Sequence, residues 1–522
     1  MECVSRNRVC IVGAGVAGLA TAKVLLADDF EVVLFEKERT LGGVWCESRT
    51  YPSLRTNNPR ETYRFSDHPY PPSTDDYPTA EQVRDYLHSY AERFGVADHI
   101  RFHTEVIHAA LSSGTDQGEP HWDITVRESA AERTESEQFD FLVVCNGVFS
   151  EPYVPEVEGR DRFSGVVSHS SELDPKEMES RRIVVVGSSK SGLDLASWAA
   201  KVGSSCTLVF REANWMLPRY FWGRLNTKWV IYSRSFEAFA PYYHKNRLET
   251  WLHGPGAPLV AMFWRTFTAI VRRELKATGP LIPVAPLPAR AENLAVGTDV
   301  YEQVRRGEIG VHQATIDAFP GGDAVQLSDG TRIEADLVLF ATGWRHGIPF
   351  LEGEIRRRIE RDEGFQLYRM ILPPEVPHLG FIGYNSSFSN TLTTEISAHW
   401  LSQHFRGELL LPSVKTMHEE TERFRKWLVG LMPCHREGFF IGPFLTHYHD
   451  DLLRDMGLSP RRARDFVSEN LLPMWPERYR TLWEERRTIR EQARPLAQRF
   501  YFSGTHALVL LGVALAIGLA WG

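Results

Sequence analysis

Two glycine-rich turns hold most of the chemistry that this sequence offers. The first, Gly13-Ala14-Gly15-Val16-Ala17-Gly18, follows the β-branched run Arg8–Val12 and opens an apolar segment with helical spacing. In that setting the first glycine permits a tight turn, the second lets backbone approach a pyrophosphate, and the third lets helix and strand pack closely. The helix amino terminus then faces the phosphate charge. Glu36 ends the next apolar run, Glu31–Phe35, where an acid takes the hydroxyls of a ribose. Gly13, Ala14, Gly15, Gly18 and Glu36 therefore predict a nucleotide site.

The second turn, Gly187-Ser188-Ser189-Lys190-Ser191-Gly192, lies between the strand-like Ile183–Val186 and the helix-like Leu193–Lys201. Ser189 stands where the middle glycine is expected; its side chain narrows the backbone approach, though its hydroxyl can itself bond a phosphate. Lys190 adds positive charge beside that phosphate. Arg211 follows the next strand, Cys206–Phe210, where a ribose 2′-phosphate would lie, so NADPH is expected rather than NADH. Glu212, next to it, works against that reading.

Between these turns lie smaller features. Leu41-Gly42-Gly43-Val44-Trp45 comes five residues after Glu36. A glycine pair there lets the chain run beside a flavin, with Trp45 over part of it, although alone it is an ordinary turn with a packed tryptophan. Thr56-Asn57-Asn58-Pro59-Arg60 sits in a proline-rich stretch, where an asparagine is commonly a turn residue. Phe163-x-Gly165-x-x-x-His169 precedes the second turn, and a histidine so placed most often bonds a loop backbone.

Positioning these residues takes two strand–turn–helix–strand units. Ala335–Phe340 runs into Ala341-Thr342-Gly343-Trp344 and returns the chain to the first unit. The expected fold class is α/β: two nested Rossmann-like dinucleotide-binding domains with a C-terminal helical segment and an apolar tail. The first domain is expected over 1–178 and again over 331–470. The second spans 179–330, with an aromatic-rich insertion at 213–295. An arginine-rich helical segment follows at 471–502, then the tail at 503–522. In the insertion, Leu259, Phe263, Phe267, Ile270, Val271 and Leu275 repeat at helical spacing, which reads as a buried lid or, less simply, a membrane-docking face.

Composition excludes other classes. A net charge of −8 leaves no basic footprint for nucleic acid. The six cysteines include no C-x-x-C pair, so neither a zinc ribbon nor a redox dithiol is written, and no metal site is expected. At the carboxyl end Ala507–Trp521 carries no charge. As a helix it would span about 22 Å, a little short of the ~20 residues that cross a bilayer. Arg480, Arg486, Arg487, Arg490, Arg494 and Arg499 precede it and would keep the main body cytosolic. Membrane attachment through this tail is expected (at the endoplasmic reticulum in a eukaryote), the alternative being a helix docked on a cytoplasmic protein.

Taken together, Gly13–Gly18, Gly42-Gly43-Val44-Trp45, the second turn and Ala341-Thr342-Gly343-Trp344 resemble the flavin-containing monooxygenases, which are class B flavoprotein monooxygenases. Phe163, Gly165 and His169 are similar to that family's FxGxxxH identifier. Thr56–Arg60, with Phe65-Ser66-Asp67 and Pro69, resembles the segment bearing an asparagine near the reacting edge of the flavin. Phe381-Ile382-Gly383 and Asn390-Thr391 match its carboxyl-terminal part, so the resemblance covers roughly 8–410. It implies FAD held by the first turn, Glu36, Gly43, Val44, Trp45, Thr56, Asn57, Thr342 and Gly343, and NADPH held by Gly187, Ser188, Ser189, Lys190, Ser191 and Arg211. It also implies a flavin C4a-hydroperoxide that passes one oxygen atom from O2 to a small nucleophilic substrate, with Asn57 catalytic and N- or S-oxygenation favoured. Leu173-Asp174 after His169 departs from the identifier and half-matches Baeyer–Villiger enzymes, which leaves ketone oxygenation as an alternative. A membrane-tethered flavin-binding protein without oxygenase activity is the alternative of another class.

Overall fold

The computed structural model describes residues 7–112, 120–129, 133–288, 299–361, 364–432, 439–442 and 444–492. The expected tail at 503–522, together with Arg494 and Arg499, lies outside them. Among the described residues no helix is long and apolar enough to cross a membrane.

Ten strands build two sheets: β1 (Arg8–Val12), β2 (Glu31–Phe35), β3 (Ile100–Arg101), β4 (Phe141–Val144), β5 (Val166–His169), β6 (Arg182–Val186), β7 (Ser205–Phe210), β8 (Gly310–Gln313), β9 (Leu337–Phe340) and β10 (Leu379–Phe381). The first sheet runs β10-β4-β1-β2-β3 and the second β8-β7-β6-β9-β5, every neighbouring pair parallel. Parallel strands covered on both faces must be apolar throughout, which is why the inner strands β1, β4, β6, β7 and β9 read as apolar runs. Val9, Ile11, Leu34 and Val143 face one core, while Cys10, Val12, Phe35 and Val144 face another. In the second sheet Val185, Leu208 and Leu339 join the first core, and Val184, Val209 and Val338 face a third.

Helices α1 (Val16–Ala27), α2 (Ala80–Arg93), α3 (Lys190–Val202), α4 (Ala257–Leu275), α5 (Asn390–Phe405), α6 (Leu445–Asp455) and α7 (Leu482–Gln492) complete the frame. An antiparallel sheet of Thr104–Ser112, His121–Glu128 and Arg133–Phe139 covers the second face of the first parallel sheet. By its charge the stretch Glu128–Gln138 reads as a hairpin tip, whereas in the structure Arg133–Phe139 is the third strand of this sheet. Thr134–Gln138 is polar throughout because this strand lies at the edge of its sheet with mostly solvated side chains. On α4 the core face is Trp264, Phe267, Thr268, Val271 and Leu275, with Leu259, Phe263 and Ile270 only partly buried. Arg265, Arg272 and Arg273 are exposed, with the Arg272 guanidinium 5.4 Å from the Trp215 ring centre.

Candidate functional site

The register Arg8↔Glu31 to Val12↔Phe35 brings Gly13 and Glu36 out at the same end of neighbouring strands. Gly13 has φ +103°, and a Cβ there would lie 2.8 Å from the Cys145 carbonyl oxygen. A Cβ on Gly18 would lie 1.9 Å from the Gly13 carbonyl oxygen, so α1 packs on its own turn only because both are glycine. Gly43 lies against Gly15: a Cβ on Gly43 would sit 3.1 Å from the Gly15 Cα. The amide of Gly42 donates to the carbonyl of Ala14 at 2.9 Å, joining the two glycine turns into one backbone surface. Glu36 is buried, and its carboxylate accepts the amides of Ala14 at 2.7 Å and Glu38 at 2.9 Å. Burial pushes this carboxyl up, and the two amides draw it back. A carboxylate has about four acceptor positions, so capacity for ribose hydroxyls is left.

Trp45 is buried, its indole N–H donating to the Tyr63 hydroxyl at 3.0 Å, whereas Val44 is exposed. The indole packs in the core beside the turn. Thr56 is buried and donates its hydroxyl to the Asn58 carbonyl at 2.7 Å. Asn58 holds the loop by donating to the Tyr232 hydroxyl and the Phe388 carbonyl. Ser389 donates to the Thr62 carbonyl at 2.7 Å and Thr391 to the Arg64 carbonyl at 3.0 Å. The 56–64 loop is thus laced to the amino-terminal end of α5. On these two laced segments, Asn57 Oδ1 and Asn390 Oδ1 are both buried without a hydrogen-bond partner. Unsatisfied buried amides are costly unless a bound group completes them. The glycine cradle and these two open acceptors fit a planar, hydrogen-bonding cofactor.

Behind this loop is a cluster that sequence reasoning missed. Glu395 of α5 is buried and accepts both the amide and the hydroxyl of Ser66 at 2.8 Å. Lys23 of α1 donates to Asp67 at 2.7 Å and lies 3.6 Å from Glu395. Glu395 is more than 300 residues from the other members in sequence, so no local pattern marks the cluster.

The second turn follows β6. Gly187 has φ +130°, and a Cβ there would meet the Ala341 carbonyl oxygen at 2.4 Å. The Ser188 hydroxyl donates to the Glu212 carbonyl at 2.6 Å, and Asn214 Nδ2 donates to the Ser189 hydroxyl at 3.1 Å. Lys190, expected as a charge for phosphate, is buried and paired with Asp194 one turn along α3. Burial lowers its pKa, which Asp194 opposes. The i,i+4 Lys–Asp spacing was the available signal. Ser191 lies in the first turn of α3, and Arg211 is exposed just past β7.

At the crossing between the sheets, Thr342 donates to the Tyr153 carbonyl, and the Gly343 carbonyl accepts the Tyr153 amide at 3.1 Å. His169 Nε2 lies 3.0 Å from that same Gly343 carbonyl, while Nδ1 accepts the Ser171 amide at 3.2 Å. These contacts place the proton on Nε2. Burial lowers the pKa of the ring, so it stays neutral and braces the crossing. Phe163 packs on Phe319 at 4.9 Å between ring centres, and a Cβ on Gly165 would meet the Asp336 carbonyl oxygen at 2.6 Å. Among the described residues no His/Cys/Asp/Glu group could hold a metal ion.

The family model described as flavin-binding monooxygenase-like matches residues 6–460. The chain belongs to that family. This flavin-binding monooxygenase is 29% identical to the probable flavin-containing monooxygenase 1 of Arabidopsis thaliana, over 92% of this chain and 97% of that one. It is 28% identical to flavin-containing monooxygenase 3 of Canis lupus familiaris, over 89% and 85%. In fold it is similar to S-allyl-L-cysteine S-oxygenase from Allium sativum, with TM-score 0.60, 23% identity and 97% of both chains covered. It is also similar to a steroid monooxygenase bound to NADP, with TM-score 0.63, 19% identity and 86% of this chain and 97% of that one covered. As a member of this family the chain is an oxidoreductase, a flavoprotein monooxygenase whose cofactors are FAD and NADPH.

Proposed function

We propose that this monooxygenase transfers one oxygen atom from O2 to a small, soft nucleophile, an amine or a sulfide, at a centre bordered by Asn57. Bound FAD, reduced by NADPH, supplies the redox and oxygen-transfer chemistry. The chain supplies orientation and a dry site. In this reading the first sheet carries FAD: Gly13, Ala14, Gly15 and Gly18 at the pyrophosphate, Glu36 at the ribose, and Gly43, Val44, Trp45, Thr56, Asn57, Thr342 and Gly343 around the rest. The second carries NADPH through Gly187, Ser188, Ser189, Ser191 and Arg211, with Lys190 setting the charge of the turn through Asp194.

The observation that carries the reading is the buried, partnerless Oδ1 of Asn57, on a loop braced by Asn58, Ser66 and Asp67. An amide can accept through Oδ1 and donate through Nδ2, which suits holding a nicotinamide and an oxygen-bearing centre together. A soft nucleophile needs no protein base, and both nitrogens of His169 are engaged in bracing the crossing. Asp174, the half-match to Baeyer–Villiger enzymes, has a local explanation: its carboxylate accepts the Lys176 amide at 3.0 Å and caps a short turn.

The decisive test is anaerobic addition of NADPH to the purified holoprotein, then air with a tertiary amine, a thioether or a cyclic ketone. Bleaching followed by N-oxide or sulfoxide is the expected result. Ester from the ketone, without N-oxide or sulfoxide, would assign the Baeyer–Villiger class. A flavin that NADPH leaves oxidised would refute the oxygenase reading.

A further inference from the structure

Arg219 lies where the loop before α2 meets the first turn of α3. Its carbonyl accepts the Tyr77 hydroxyl at 2.7 Å, and its guanidinium carbon stands 5.3 Å from the Tyr77 ring centre. The Nε of Arg219 is buried with no acceptor. Among the described residues no carboxylate pairs with this guanidinium at ion-pair distance. Asp194, the carboxylate that attracts it most, is already held by Lys190 and accepts the Tyr51 hydroxyl at 3.2 Å. Arg55, paired with Asp75, adds a third positive charge that Arg219 and Lys190 both feel.

Three cations therefore share Asp194 and the partly exposed Asp75, with Asp299 attracting Arg219 more weakly. A cation with a buried, unpaired N–H is unfavourable in isolation. An anion entering between the Tyr51–Tyr77 loop and α3 would relieve it. Arg211 is exposed just past the end of β7.

Resting on the NADPH reading above, we propose that Arg219 grips the coenzyme's pyrophosphate, the phosphate pair that NADPH and NADH share. Arg55 supports it electrostatically, and the Lys190–Asp194–Tyr51 chain fixes the wall on which the phosphate lands. Charge-assisted hydrogen bonds of this kind are among the stronger polar contacts, so their loss is measurable as affinity.

Calorimetric titration of the oxidised holoprotein with NADP⁺ and with NAD⁺ tests this without turnover. Arg219→Gln is expected to weaken both coenzymes at least tenfold and by the same factor within about twofold. Arg219→Lys should recover part of the loss, and Arg211→Ala should weaken NADP⁺ alone. Unchanged binding in Arg219→Gln, or a loss confined to NADP⁺, would overturn the assignment. Should Arg219→Gln fail to fold, inorganic pyrophosphate on the unaltered protein decides: it should displace NADP⁺ competitively, and no displacement overturns the site. Unaltered protein that binds neither coenzyme refutes the NADPH reading itself, whereas intact coenzyme binding with an indifferent Arg219 refutes only this inference.

Discussion

Asn57 shows how much one side chain can decide. Its Oδ1 is buried and open while its neighbours are spoken for, Thr56 by the Asn58 carbonyl and Asn58 by Tyr232 and Phe388. Losing one hydrogen bond at a desolvated centre costs about 1–3 kcal/mol. Partition between transfer to substrate and release of peroxide should then shift by about tenfold to a hundredfold. Asn57→Ala and Asn57→Leu are therefore expected to keep FAD and reduction by NADPH, yet to turn most consumed oxygen into hydrogen peroxide. Peroxide and oxygenated product measured against NADPH consumed give the answer, and wild-type coupling in both variants would make Asn57 a turn residue. At this scale the glycines were legible, because the demands of a turn are local and written in adjacent residues. The open guanidinium of Arg219 was not, since it depends on what the fold brings beside it; the pairing of Lys190 was, four residues from Asp194 on one helix.

Among elements, the parallel strands and the helices after them follow from short apolar runs and glycine turns. The contacts that fix elements against one another do not. His447 of α6 illustrates this: Nδ1 lies 3.1 Å from Glu237 and Nε2 2.6 Å from Glu249, two residues of the aromatic-rich insertion some 200 positions earlier. Burial alone would lower the imidazole pKa, but hydrogen bonds and charge from both carboxylates raise it to about 10. The Tyr242 ring packs 4.6 Å away, and His253 also faces Glu249. An unfolded histidine titrates near 6.5, so this proton stabilises the fold fully below about pH 6.5. That contribution declines above it and is lost as pH passes about 10. His447→Gln should destabilise the protein at neutral pH, and the gap between variant and wild type should close from pH 7 to 10. Urea midpoints across that range test it; a gap independent of pH would show that His447 is uncharged in the fold.

For the whole molecule, the question is what the last sixty residues do. By sequence, Arg480, Arg486, Arg487, Arg490, Arg494 and Arg499 read as one set flanking an apolar tail. Arg486 corrects it: this side chain on α7 is 1% exposed, with its guanidinium 2.8 Å from Asp28 and 2.8 Å from His399 Nδ1. Asp28 caps the carboxyl end of α1, where a negative charge is unfavourable against the helix dipole, and Arg486 offsets it. The Trp483 indole donates to the Ala27 carbonyl at 3.1 Å, and Arg490 pairs with Glu408 at 2.8 Å. So α7 latches the far ends of α1 and α5, the two helices whose starts border the proposed flavin site. Composition alone could not separate a buried arginine from a solvated one; that took the long-range partner. Two truncations separate latch from tail. A chain ending at Phe502 keeps the latch and should hold FAD at wild-type stability. A chain ending at Thr481 strips Arg486, Trp483 and Arg490 from Asp28 and should be less stable, where breaking a buried ion pair costs about 3–5 kcal/mol. Arg486→Leu should reproduce most of that loss and Asp28→Asn/Arg486→Leu should recover much of it, because the penalty comes from the stranded charge. Thermal unfolding and flavin retention read out all four chains. Equal stability of the two truncations would mean that α7 rests on the body without holding it.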